Sequence, residues 1–254
     1  MDATMHDRDD VLTGYPGSKG ASGVWQKIIR QMPPHTRYVE AFAGYAKVYR
    51  SKRPASTNIL MDIDPAVCQA LRAWQVAHGD DRGEVWRVDA LEVLSKSPAM
   101  QDPQTLVYAD PPYLASTRTR LFYDWEFDSI EQHTSLLRLL LEARCMCMVS
   151  GYWSQLYSTI LQSWRVISFP AMTRGGLRQE YLWCNFPEPT LLHDPRYAGE
   201  NFRERERIGR KRERWHRRFA AMPAGERQVI AEGLAAADPD AIAAAAKLLN
   251  PKSL

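Results

Sequence analysis

An α/β sandwich built on a mostly parallel sheet is what this sequence predicts, and three patterns predict it. Short apolar runs of strand length alternate with helical segments from residue 24 to residue 185. Glu40, Asp62, Asp89 and Asp110 stand at or near the ends of four successive runs, on the edge where ligands gather in such sheets. Singly, each would read as a helix cap; together they mark one edge. Beyond Pro187 the chain turns charged and then Ala-rich, so residues 14–190 read as the main domain and 191–254 as a basic, helical extension.

Each element has its own reason. Residues 1–13 read as a disordered leader. Tyr15-Pro16-Gly17-Ser18-Lys19-Gly20 reads as a loop, because Pro and Gly do not propagate a helix. Val24, Ile28, Ile29 and Met32 share helical spacing, and Pro33-Pro34 stops that helix. Tyr38 to Phe42 is a strand, Ala43-Gly44 a turn, and a helix follows to about Arg50. Asn58 to Asp62 is the second strand, and Pro65 opens a helix reaching about Ala77. Val85 to Val88 is a strand ending at Asp89, with a helix over Ala90 to Leu94. Leu106 to Ala109 is the strand that delivers Asp110.

Ser129 to Arg144 is amphipathic and helical. Cys145 to Ser150 is a strand broken at Gly151, Ser154 to Leu161 a helix, and Trp164 to Phe169 and Glu180 to Asn185 two late strands. Phe202 to Phe219 reads as a charged helix, followed by a short helix after Met222-Pro223. An Ala-rich third helix is capped by Asp238 ahead of Pro239. The sequence contains no internal repeat.

The net charge of +3 conceals an asymmetry. Residues 203–218 hold nine Lys/Arg against three Glu, an excess of six, so the remainder is net acidic. That distribution fits a nucleic-acid partner, and Trp215 and Phe219, four apart, would dock the basic helix on the body. The four cysteines lack metal-ligand spacing. Cys145 and Cys147 alternate onto one strand face as buried, reduced thiols. Trp25, Trp74, Trp86 and Trp164 read as core, and His35, His78 and His133 as incidental surface or cap residues. The opening ten residues are polar and acidic, and no apolar run approaches the roughly 18 residues that span a bilayer. A soluble, cytoplasmic protein is therefore expected, with no membrane partner.

The residues richest in chemistry are Asp110-Pro111-Pro112-Tyr113, directly after an apolar strand. A carboxylate there accepts a hydrogen bond from an amine. Two prolines stiffen the turn and leave carbonyls free of competing N–H groups. The Tyr ring offers a stacking face. Such a set suits methylation of a planar exocyclic amine, a poor nucleophile whose lone pair is delocalised.

With Tyr15-Pro16-Gly17-Ser18-Lys19, Tyr38-Val39-Glu40-Ala41-Phe42-Ala43-Gly44, Met61-Asp62-Ile63-Asp64 and Ser150-Gly151-Tyr152, these residues stand in the order found in the Dam-like class of DNA N6-adenine methyltransferases. Residues 11–190 resemble the compact, phage-encoded type of that class. The resemblance implies a Rossmann-like S-adenosylmethionine-dependent methyltransferase sandwich in a bacterial or phage-infected cell. Tyr15 and Lys19 would lie in the loop that closes over the cofactor. Glu40, Ala43 and Gly44 would sit beside its methionine part, Asp62 would hold the ribose hydroxyls, and Asp89 would face its adenine. Asp110, with Pro111 and Pro112, would orient the substrate amine, and Tyr113 would stack on the target base.

The implied partner is double-stranded DNA with one base flipped out, met by a monomer or weak dimer, with a cognate restriction nuclease as a further possible partner. Here Ala41 replaces the family's Pro, Ser18 stands where Gly is common, and Tyr45-Ala46 follow Gly44 where the family carries more glycine. Asp89 and Asp110 are too close for a recognition domain between them. Base reading would fall to Leu114–Asp128, with Arg118, Arg120 and Tyr123, or to a flexible turn over Thr173–Arg178, with Arg174 and Arg178. Arg210, Lys211 and Arg214 would track phosphates. The same residues also suit a cytosine amine, an RNA adenine, a protein glutamine, or a non-catalytic nucleic-acid-binding relative.

Overall fold

The computed structural model describes residues 12, 19, 23–114, 127, 129–173 and 176–249. They fall into two compact units. One holds the described residues up to Ile28 together with His35–Glu188; the other holds Ile29–Pro34 and the described residues from Pro189 onward.

After the first helix, α1 (Val24–Arg30), the chain alternates strand and helix: β1 (Arg37–Ala41), α2 (Lys47–Ser51), β2 (Thr57–Asp62), α3 (Pro65–His78), β3 (Glu84–Arg87), α4 (Ala90–Lys96) and β4 (Thr105–Ala109). Then come α5 (Ile130–Leu141), β5 (Met146–Gly151), α6 (Gln155–Ile160) and the hairpin β6 (Arg165–Thr173) and β7 (Gly176–Cys184). The seven strands form one sheet in the order β3-β2-β1-β4-β5-β7-β6. Neighbours among β1 to β5 pair in parallel, while β7 runs antiparallel to β5 and β6. This is the Rossmann-like α/β sandwich with a mostly parallel sheet that the sequence predicts.

The topology places a crevice. The chain winds outward from β1 through β2 to β3, then returns to lay β4 on the other side of β1. Strand order thus reverses between β1 and β4, the switch point where α/β sheets bind ligands. All five residues of β4 are buried, as suits a central parallel strand. Leu136, Leu137 and Leu140 of α5 are fully buried in the same apolar core as Val107 and Val149, each stabilising the fold by roughly 1.5–3 kcal/mol.

Local sequence sets the helix starts. Asp64 caps α3 by accepting from the Ala66 N–H at 2.7 Å, with Pro65 at the first helical position, and Gly79 ends the helix in a left-handed conformation (φ 60°). Ser129 and Gln132 form a capping box on α5. In the second unit, Asn201 caps α7 (Phe202–Ala220). Helix α8 (Ala224–Ala237) follows, and Asp238 caps α9 (Pro239–Leu249) through the Ala241 N–H at 2.9 Å. No described helix is long and apolar enough to cross a membrane.

Several expectations need correction. Thr173 ends β6 and pairs with Gly176, and Gly176, Leu177 and Arg178 belong to β7, so the described residues of the expected flexible turn are strand. Antiparallel pairing with β6 holds Gly176, Leu177 and Arg178 in the sheet, and a local reading of Gly-Gly cannot register that. His133 is fully buried, between the Tyr157 hydroxyl at 2.8 Å from Nδ1 and the Phe127 carbonyl at 3.1 Å from Nε2. His35 is buried as well. Trp164 is core as expected and Trp86 packs, half-buried, against the core, but Trp25 and Trp74 are only half-buried, and Trp183 is a large fully buried indole. Trp215 is 52% exposed, with the Arg218 guanidinium over its ring. Leu12, expected in a disordered leader, is buried.

Candidate active site

β4 ends at Ala109, and Asp110 follows with its N–H still bound to the Ala41 carbonyl of β1 at 3.2 Å. That bond fixes the carboxylate at the switch point. Its Oδ1 accepts from the Ser150 hydroxyl at 2.6 Å and lies 2.9 Å from Lys19 Nζ. Ser150 has one proton and gives it to Asp110, so the Tyr108 hydroxyl, 3.0 Å from Ser150 Oγ, is the donor in that second contact. Both protein contacts fall on Oδ1, and among the described residues Oδ2 accepts no hydrogen bond. Burial pushes the Asp110 carboxyl up from its ordinary value, with Lys19 opposing the shift.

Lys19 lies buried in the middle of this cluster. Its three N–H groups meet Asp110, Glu180 at 2.5 Å, and the Tyr113 hydroxyl. Burial alone would lower its pKa; the Asp110 and Glu180 carboxylates override that and raise it well above the ordinary lysine value. The Tyr113 hydroxyl donates in turn to Glu180. The Tyr113 ring meets the Tyr152 ring edge-on at 4.5 Å, and the Arg178 guanidinium lies 5.5 Å from the centre of the Tyr152 ring.

At the other side of the switch point, the turn after β1 folds onto the end of β2. The Gly44 N–H donates to Asp62 Oδ2 at 2.8 Å, and the Asp64 N–H donates to Oδ1 at 2.9 Å. The turn is conformationally demanding: Phe42, Gly44 and Ala46 all have positive φ (59°, 50° and 47°). For a bulky residue such as Phe42 this is an outlier costing roughly 1–3 kcal/mol, of the kind that collects at functional sites. The Phe42 ring packs on Phe127 at 4.7 Å, and Phe127 meets His133 edge-on.

Glu40 Oε2 accepts from the Tyr38 hydroxyl at 2.8 Å and the Tyr49 N–H at 3.0 Å, and burial raises its pKa to about 7. Asp89 is exposed and caps α4, its Oδ1 accepting from Leu91 N–H at 2.8 Å. Ala43 hydrogen-bonds the Met61 carbonyl from its N–H at 2.8 Å.

No protein-family model matches this sequence, and no curated protein matches it. Solved structures are similar at low levels. A precorrin-6y C5,15-methyltransferase from Geobacter metallireducens shares 11% identity over 67% of this chain and 98% of its own, with a TM-score of 0.43. An rRNA methylase from Streptococcus thermophilus shares 7% identity over 63% and 91%, also at 0.43. Likeness this slight assigns neither a family nor a reaction.

Of the residues singled out from the sequence, Lys19, Asp110 and Tyr113 come together in one cluster, and Gly44 meets Asp62. Pro111 and Pro112 carry the chain from Asp110 to Tyr113. Arg178 joins the edge of the cluster, while Arg210, Lys211 and Arg214 are exposed on α7. Tyr15, Arg118, Arg120, Tyr123 and Arg174 lie outside the described residues.

Glu180 is the residue that sequence reading missed. It reaches the carboxyl edge because β7 is antiparallel: Tyr181 pairs with Gly151 at the end of β5, so the early part of β7 lies where the parallel strands finish. A polar residue at the start of an apolar strand was the available signal. Its direction was not.

Proposed function

We propose that this chain is an S-adenosylmethionine-dependent methyltransferase whose substrate is the exocyclic N6 amine of an adenine in DNA. The observation that carries the reading is the Asp110 carboxylate. One oxygen is pinned by Lys19 and Ser150 and the other is left to accept from an amine, at the mouth of a Pro-Pro-Tyr turn. The motif order in the sequence supports the adenine assignment over the other amines.

The donor set fits the cofactor. Each Asp62 oxygen accepts one backbone N–H and keeps a lone pair for a ribose hydroxyl. Glu40, Ala43 and Gly44 would border the methionine part, and Asp89 would face the adenine with the oxygen that does not cap α4. Two carboxylates and one ammonium leave the Lys19 cluster with an excess negative charge, complementary to a sulfonium. When bound, S-adenosylmethionine supplies an electrophilic methyl group on a good leaving group. Asp110 would align the amine and favour its tetrahedral form. Tyr113, with Tyr152 beside it, would offer the ring face that offsets lost base stacking.

The DNA partner is supported by α7. Helical spacing sets Arg203, Arg207, Arg210, Lys211, Arg214, Arg217 and Arg218 on one face, and all are exposed. An Arg-rich face of this kind grips phosphates without reading bases.

The test is product analysis. Purified protein is incubated with DNA and methyl-labelled S-adenosylmethionine, and the DNA is digested to nucleosides. Label in N6-methyldeoxyadenosine is expected. Label in 4-methylcytosine overturns the adenine assignment, and no label in DNA overturns DNA as the substrate.

A further inference from the structure

We infer that Glu180 is a positioning residue: it draws the Lys19 ammonium and the Tyr113 hydroxyl toward itself, so that Lys19 does not pair with Asp110 alone and Asp110 keeps its capacity to accept a substrate amine. This role rests on the methyl-transfer reading above.

The geometry argues it in three steps. First, Glu180 is buried, at 4% exposure, and the closer of Lys19's two carboxylate contacts is to its Oε1, at 2.5 Å against 2.9 Å for Asp110. Second, one buried ammonium needs only one carboxylate for charge balance. A second buried carboxylate beside it adds like-charge repulsion and desolvation, which folding does not favour. Its effect falls on Asp110, whose carboxyl Glu180 helps push upward, making it a better acceptor. Third, the Tyr113 hydroxyl donates to the same Oε1 that Lys19 contacts. One carboxylate oxygen therefore sets the Lys19 head group and also the rotation of the ring that would stack on the base.

The experiment is a double-mutant cycle with Glu180→Gln, Lys19→Gln and the double variant, read by kcat, by its pH profile, and by the rate at which an amine-reactive probe labels Lys19. The amide keeps the shape and removes the charge. For Glu180→Gln we expect kcat to fall about tenfold, with the acid limb of the profile moved to lower pH. Lys19 labelling should rise about fivefold or more. In the Lys19→Gln background, Glu180→Gln should change kcat by less than about threefold, since the part of its effect carried by Lys19 is gone and only its contact with Tyr113 and its charge beside Asp110 remain. That last comparison remains available if Glu180→Gln alone does not fold.

Multiplying losses in the cycle, or unchanged Lys19 labelling, overturn the inference. If the natural protein transfers no methyl group, the reaction reading fails, and the labelling rate still decides whether Glu180 holds Lys19.

Discussion

Lys19 Nζ lies 2.9 Å from Asp110 Oδ1. That contact joins a loop lysine near the start of the chain to the end of the central strand. It joins two of the motifs the sequence displays, and both Asp110 contacts, with Lys19 and Ser150, fall on Oδ1, leaving Oδ2 without a hydrogen bond among the described residues.

Asp110→Ala should therefore lower methyl transfer by about a thousandfold, in the range set by removing an electrostatic group aimed at the reacting centre. DNA affinity should stay within about twofold, because the basic face of α7 proposed to meet phosphates is untouched. Lys19 keeps Glu180 as its counter-charge, so the variant should fold. In the natural protein, activity should fall as pH drops through a value above the ordinary carboxylate range, because the Asp110 carboxyl is raised by burial. A kcat profile that is flat down to pH 4, or substantial turnover by Asp110→Ala, would assign the amine to another residue.

Glu40 makes a pH prediction about stability. Its carboxyl moves from an ordinary 4.5 to about 7 on folding. The folded state thus holds the proton more tightly than the unfolded chain between those values. Stability is greatest at and below about pH 4.5 as far as this group is concerned, and it declines as pH rises to about 7, by on the order of 3 kcal/mol in total. Thermal unfolding at pH 5 and pH 8 should show this loss in the natural protein and much less of it in Glu40→Gln. Equal losses in both would mean that Glu40 is ionised without penalty.

The basic face of α7 is testable by salt. Reversing Arg207, Arg210 and Arg214 to Glu should weaken binding to all DNA sequences alike. Removing about three phosphate contacts should flatten the slope of log affinity against log salt by roughly 2.7 units. A change in site preference would show that this helix reads bases.

Local chemistry explains what could be read in advance. Asp64-Pro65, Ser129 with Gln132, and Asp238-Pro239 announce helices through capping that involves only near neighbours. Asp62 and Asp110 were visible because parallel strands all end on one edge. Glu180 and His133 depend on partners that sequence spacing does not name. Glu180 acquires Lys19 through the antiparallel register of β7, and His133 is buried because Tyr157 and Phe127 satisfy both ring nitrogens. The half-buried indoles of Trp25 and Trp74 show the same limit. Arg50 lies over the Trp74 ring and Lys47 over the Trp25 ring, so an aromatic residue can be held by a surface cation as well as by a core.

Ala46 connects sequence and strain. It stands in the segment where the resembled class carries further glycine, and it adopts φ 47°, ψ 43° as the N-terminal cap of α2 without a side-chain hydrogen bond. An Ala Cβ in that conformation costs roughly 1–2 kcal/mol, partly offset by the greater unfolded-state freedom of Gly. Ala46→Gly should therefore stabilise the protein by about 0.5–1 kcal/mol, raising Tm by about 1–4 °C for a domain of this size. Its side chain is 1% exposed, so the loss of one buried methyl works against the gain. A net fall in Tm would mean that packing outweighs backbone strain at this turn. If relaxing the turn also loosens Gly44 from Asp62, S-adenosylmethionine affinity measured by calorimetry should drop in the same variant, and unchanged affinity would show that the Gly44 N–H holds Asp62 independently of Ala46.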